Sequence, residues 1–236
     1  MPDIAEPDIV AVYADESCLG NGREGANPGG AAGLVEYRRR QRRGAVTSKP
    51  ASTQPANGTI VRHDYWVSEP ATTNNRMALR SVIEAFRGLS TKGIRLRVVF
   101  TSDSLYLIKG MREWVYGWSE RGWRRKSGAL ENLALWREAV DVVRASGHEC
   151  EWRWVRGHAG HPQNEYANYL ASRAAASQSS SNGLVESEFD AWLAARREAR
   201  AALRPLAPFP ESREFVASPP LPGRGIAVAL PRSRDA

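Results

Sequence analysis

Three stretches with strand-like alternation precede the first stretch with helical periodicity, and that order narrows the folds open to this chain. Residues 8–17, "DIVAVYADES", alternate and are rich in β-formers, which predicts a first strand ending at an acid, Asp15. "GGAAGLVEYRRR" predicts a second strand and residues 59–67 a third, separated by a Gly-, Pro-, Ser- and Thr-rich loop over 44–58 that is too long for a tight hairpin. Only then does the period change. In "ATTNNRMALRSVIEAF" (71–86), Thr72 or Thr73 can cap a helix whose buried stripe is Leu79, Val82, Ile83 and Phe86. "IRLRVVFTSD" (94–103) predicts a fourth strand, again closed by an acid, Asp103. Helical patterns follow at 104–116 and 130–146, "ECEWRWVRG" predicts a fifth strand, and 162–176 a last helix with proline at its start. The order βββαβααβα predicts an α/β fold with a five-stranded mixed sheet flanked by helices.

The chain of 236 residues has room for one medium domain plus additional segments. Composition places the boundary near residue 176. "SQSSSNG" predicts a flexible linker (177–184), residues 185–203 an amphipathic helix with Phe189, Trp192, Leu193 and Leu203 on one stripe, and 204–236 a disordered Pro/Arg-rich tail. The helix suits either a place on the domain or a partner protein. Residues 178–236 hold 8 Arg against 7 acids, so nearly all of the formal +7 belongs to residues 1–177. A basic domain of this kind suits an anionic partner such as nucleic acid. Cys18 and Cys150, far apart and in no metal-binding spacing, fit a reducing compartment, and with no secretory leader or membrane-spanning run the expectation is a cytoplasmic monomer.

Four motifs in this order, "YADESCLGN", "TTNNRMALRSVIEA", "FTSDSLYLIKGMREWVYGWSERGW" and "WRWVRGHAGHPQNEYANYLA", resemble ribonuclease H of the type I (bacterial-like) class over residues 9–176. The resemblance implies the ribonuclease H-like fold for 1–176. It also implies hydrolysis of the RNA strand of an RNA–DNA hybrid with Mg²⁺ or Mn²⁺, hard cations held by converging carboxylates. Of the family's four carboxylates, Asp15 and Asp103 match two. Ala78 and Asn168 stand where the other two belong, leaving Asp15, Asp103 and Asn168 as the metal-binding set. Glu165 matches a further family acid, and His158 the histidine that helps product leave. Glu16 stands where glycine is usual. As a neighbour of Asp15 on a strand it is expected to point to the opposite face and not to replace a ligand.

The resemblance also implies a substrate surface. Cys18, Gly20 and Asn21 match a backbone-contacting turn, Thr73 a DNA-phosphate contact, and Asn74 and Asn75 the pair that reads the hybrid's minor groove. Arg121, Trp123, Arg124, Arg125 and Lys126 match a basic protrusion that holds the DNA strand, in which Trp114, Trp118 and Trp123 set the scaffold and the four basic residues supply charge. The groove-reading glutamine is Leu105 here, and the run "RRRQRR" offers further charge. With two carboxylates replaced, cleavage is expected to be weak or lost. Three readings stand at this point: a weakened hybrid endonuclease, a non-catalytic nucleic-acid-binding module, and an active-site mutant of an active enzyme.

Overall fold

The computed structural model describes residues 8–20, 27–39, 58–125 and 128–223. Strands β1 (Ile9–Cys18), β2 (Gly29–Arg38) and β3 (Ile60–Glu69) form an antiparallel meander. Helix α1 (Asn74–Leu89) then crosses to β4 (Arg97–Ser102), which pairs parallel with β1. A broken helical stretch follows: α2 (Leu105–Lys109), a π-helical turn (Gly110–Trp114) and α3 (Val115–Glu120). Helix α4 (Leu133–Ser146), parallel strand β5 (Glu149–Trp154) and α5 (Pro162–Ser177) complete the predicted order. Thr73 is the α1 cap, its side chain accepting from the Arg76 N–H, and Pro162 opens α5.

The sheet order is β5-β4-β1-β2-β3-β6, six strands where five were expected. Its two faces carry different helices. Val10, Val12 and Ala14 point into the core with Ala78, Leu79 and Val82 of α1 and with Trp136 of α4. Alternate β1 residues face α5: Tyr13 lies 5.6 Å from His161, and Asp15 accepts a hydrogen bond from Asn164. Helix α5 seats closely because Gly30 has no Cβ, which would collide with the main chain of Ala171 and Ala175.

The sixth strand comes from the first two residues of the stretch expected to be helical, just after the supposed linker. β6 (Val185–Glu186) pairs with His63 and Asp64 of β3. Before it, the Ser181 N–H donates to the Trp66 carbonyl at 3.0 Å, and the Trp66 indole donates to Ser179 Oγ at 3.2 Å. Serine hydroxyls satisfy exposed backbone as readily as water does, so a serine-rich composition does not by itself free a segment. Helix α6 (Phe189–Glu198) then buries Phe189 and Leu193 against Ala32, Leu34, Tyr166 and Leu170. Burying two such side chains contributes about 3–6 kcal/mol, enough to hold the helix on its own domain.

The expected disorder from 204 also gives way to structure as far as 223. An extended strap runs back across the domain. Its Arg204 N–H donates to Gly160 O at 2.7 Å, Ala207 O accepts from Gln163 Nε2, and the Ser218 N–H donates to Cys150 O at 2.7 Å. The Arg38 guanidinium sits 5.0 Å over the Phe209 ring, and the Tyr116 hydroxyl donates to Pro219 O. Prolines suit such a strap, since each removes an N–H that an extended chain would otherwise need to satisfy. Residues 224–236 lie outside the described part. No helix among the described residues is long and apolar enough to cross a membrane.

Candidate active site and nucleic-acid interface

The strand-end acids converge, and a third joins them. Carboxylate oxygens of Asp15, Glu16 and Asp103 all lie within 4.8 Å of one another. The inclusion of Glu16 overturns the expectation from strand alternation. Pairing of β1 with β4 stops at Ala14↔Ser102, after which β4 turns away. Asp15 and Glu16 therefore project past the last rung of the sheet on that side. There a glutamate is long enough to reach around the strand toward Asp103, and alternation no longer separates neighbours. Ala78, fully buried on the α1 face with Ala14, leaves that side of the strand end without a competing carboxylate.

Each acid has identifiable supports. Asp15 is buried; Oδ1 accepts from the Glu16 N–H at 2.7 Å and Oδ2 from Asn164 Nδ2 at 3.2 Å, while Asn168 also hydrogen-bonds this carboxylate. Glu16 hydrogen-bonds Ser104, yet its Oε2 is sealed from solvent with no hydrogen-bond partner. Asp103 is positioned by its backbone: the Trp154 indole N–H donates to its carbonyl at 3.0 Å. Gly157 packs so tightly on the Asp103 carboxylate that any Cβ would collide with Oδ2. Burial, then the charge of Asp103, pushes Asp15 up to about 8. Burial and the two aspartates push Glu16 well above the usual range, and burial raises Asp103. Three mutually repelling carboxylates, one with an orphaned oxygen, form a donor set that suits a hard divalent cation.

Two other expected residues lie near Asp103. Glu165 and His158 both act electrostatically on Asp103, and Glu165 accepts from the Gly160 N–H at 3.1 Å. His158 is exposed at the tip of its loop with φ 50°. At the same rim, the β1 turn and the start of α1 are joined, since the Thr72 N–H donates to Asn27 O. Cys18 Sγ and the Thr72 side chain both lie against Gly29, so the end of β1 and the start of α1 are neighbours; Asn21 lies outside the described residues. Arg121, Arg124 and Arg125 are exposed, and Lys126 is not described. Trp123 has the place of a scaffold residue. It is buried, with the Arg137 guanidinium 5.7 Å over its ring, so it is scaffold rather than a contact. Trp118 packs likewise, at 5.3 Å from Trp136. Sequence reasoning missed Glu16, Asn164, Trp154 and Gly157. The spacing of Asn164 from Asn168, one helical turn on one face, was a usable signal.

A mixed sheet with converging acids at the ends of its first and fourth strands, backed by a helix on each face, defines a ribonuclease H-type domain. The chain belongs to the RNase H family, whose model matches residues 7–176. It is 36% identical over 173 residues to Ribonuclease H of Polaromonas naphthalenivorans (strain CJ2), covering 73% of this chain and 90% of that one. Against Ribonuclease H of Herminiimonas arsenicoxydans, identity is 48% over 106 residues, 44% of this chain and 69% of that one. Among solved structures it is similar to LC9-RNase H1, described as a type 1 RNase H with the type 2 active-site motif. Identity there is 58% and the TM-score 0.79, over 96% of this chain and 98% of that one. A foamy viral protease-reverse transcriptase, solved in complex with RNA/DNA hybrid, shares the fold at 13% identity and TM-score 0.54, over 75% of this chain and 21% of that one.

Proposed function

We propose that this chain hydrolyses the RNA strand of RNA–DNA hybrids, using Mg²⁺ or Mn²⁺ held by Asp15, Glu16 and Asp103, with Asn168 as a neutral fourth member. The observation that carries this reading is the Glu16 carboxylate within the Asp15–Asp103 cluster. The expectation of weak or lost cleavage rested on the loss of charge at Ala78 and Asn168. With Glu16 counted, three of four charges are present, and the non-catalytic and engineered-mutant readings lose their main premise.

A divalent cation held by these carboxylates would activate the attacking water at neutral pH and offset the negative charge that develops on the scissile phosphate. The protein's part is to hold its carboxylates close together and fixed, where a cation can take the place of the protons that burial and mutual repulsion keep on them. Asn164, Asn168 and the Glu16 amide orient Asp15, Trp154 and Gly157 fix Asp103, and Ser104 steadies Glu16. Asn74 and Asn75 are assigned to the minor groove, where 2′-hydroxyls mark the RNA strand. Thr73, Cys18 and Gly20 are assigned to the backbone, and Arg121, Arg124 and Arg125 to DNA phosphates. His158 is assigned to product departure, and Glu165 to the loop that carries it. A reducing cytoplasm fits Cys18 and Cys150, both free, whose thiols burial pushes up to about 11 and about 12. The deciding experiment compares the chain with Glu16→Gln on a labelled hybrid in Mg²⁺ and in Mn²⁺. Cleavage that disappears in the variant supports the assignment, and equal cleavage by both removes it.

A further inference from the structure

Most arginines on the flanks of this domain face carboxylates. Arg62 pairs with Glu36 and Asp190, Arg80 with Glu69, Arg87 with Glu84 and Glu138, and Arg153 with Glu151. Among the described residues two clusters of neighbouring exposed arginines show no ion pair. One is Arg121, Arg124 and Arg125 of the protrusion, on the α1 face. The other is Arg196, Arg197, Arg200 and Arg204, at the end of α6 and the start of the strap, on the α5 face. The near-neutral total of the C-terminal stretch hides this second group, because three of its seven acids are paired elsewhere and only Glu198 lies among these arginines. Asp190 binds Arg62, Glu188 lies 4.0 Å from Arg173, and Glu211 binds Arg213.

The second group also sits beside the candidate site. Arg196, Ala201, Ala202 and Leu203 share a hollow with His158, Gly160 and Glu165, and the Arg204 N–H is tied to Gly160 O at 2.7 Å. Compensation of a helix dipole accounts for Arg196 and Arg197, which lie in the last turn of α6. It does not account for Arg200 and Arg204, which follow after the helix has ended.

We propose that Arg196, Arg197, Arg200 and Arg204 form a second phosphate-binding surface. It would grip the hybrid beyond the reacting bond on the His158 side, as the protrusion does from the other face of the sheet. The inference rests on the hybrid-binding reading above and extends its footprint. The test measures binding in EDTA, which removes cleavage, for a long hybrid and for one trimmed to the base pairs nearest the acid cluster. In the full chain, R196Q/R197Q/R200Q/R204Q should lower the slope of log affinity against log salt on the long hybrid by about 0.9 for each phosphate no longer neutralised. The effect should shrink on the trimmed hybrid, and the four-lysine variant should restore most of the slope. Two results overturn the proposal: an unchanged slope where R121Q/R124Q/R125Q does lower it, or an equal reduction on both hybrids, which would mark a general charge effect. Failure of the unaltered chain to bind any hybrid would instead remove the hybrid-binding reading, and this inference with it.

Discussion

The main-chain N–H of Glu16 donates to Oδ1 of Asp15 at 2.7 Å, so one residue supplies both a hydrogen bond to its neighbour's carboxylate and a carboxylate of its own. Glu16→Gln keeps the size, the backbone bond and the strand while removing one charge. At about 2–4 kcal/mol for a ligand charge in a poorly screened site, hybrid cleavage should fall by about 30- to 1000-fold. Calorimetric titration with Mn²⁺ should show weaker binding in the same variant. A variant that cleaves at the original rate would show that Glu16 is not part of the reacting centre.

Restoring a carboxylate on α1 should do harm. From the family resemblance alone, Ala78→Glu together with Asn168→Asp is expected to raise cleavage. Ala78, however, is fully buried in the core that also holds Ala14 and Leu79. Overpacking there costs about 1–3 kcal/mol, and an additional carboxylate beside Glu16 adds repulsion. Ala78→Glu alone should therefore melt several degrees lower and cleave no faster. Thermal melting and initial rates check both halves.

Stability in the absence of metal should depend on pH in an unusual direction for acids. Asp15 moves from an ordinary 3.8 to about 8 on folding, and Glu16 and Asp103 are raised as well. Between those values folding takes up protons, so stability falls as pH rises toward about 8. His148 and His161, which burial holds below the usual 6.5, oppose this only in the more acidic range where they would become charged. Melting in EDTA should therefore decline from about pH 6.5 to about 8, and millimolar Mg²⁺ or Mn²⁺ should reduce the decline by replacing the protons with a cation. A flat profile in EDTA would show that the three acids are not held close together in solution.

The C-terminal stretch should prove part of the folding unit. Phe189 is fully buried between β2 and α5, against Ala32 and Tyr166. Phe189→Ala should cost about 3–5 kcal/mol. For a chain of this size that lowers melting by about 10 °C. Removal of everything after residue 177 should cost at least as much, whereas a detachable tail would leave melting unchanged.

The order of elements was legible because periodicity changes where the chain changes direction. The strand at 8–17, the capped helix opening at Thr73 and the proline-led last helix all stand where the pattern puts them. Asp15 and Asp103 were legible as strand-end acids. Glu16 was not, because alternation is a rule for residues with neighbours on both sides, and register alone shows that β4 ends one rung before Asp15. The helix after the linker was legible from its apolar stripe, but the linker and the start of the tail were misjudged because composition counts serines and prolines without showing the bare backbone they lie against.

That same stretch has a consequence for how the protein behaves at high concentration. It meets β3 through β6 and Ser181 at one margin of the sheet, then reaches the opposite margin, where the Ser218 N–H bonds Cys150 O and the Val216 N–H bonds Glu151. One continuous segment thus occupies backbone groups on both outermost strands of the domain. Unpaired outer strands are templates for pairing with another chain. The segment therefore acts as a built-in guard against sheet-to-sheet assembly, and a fragment trimmed to the family's own boundary would expose two adhesive rims at once.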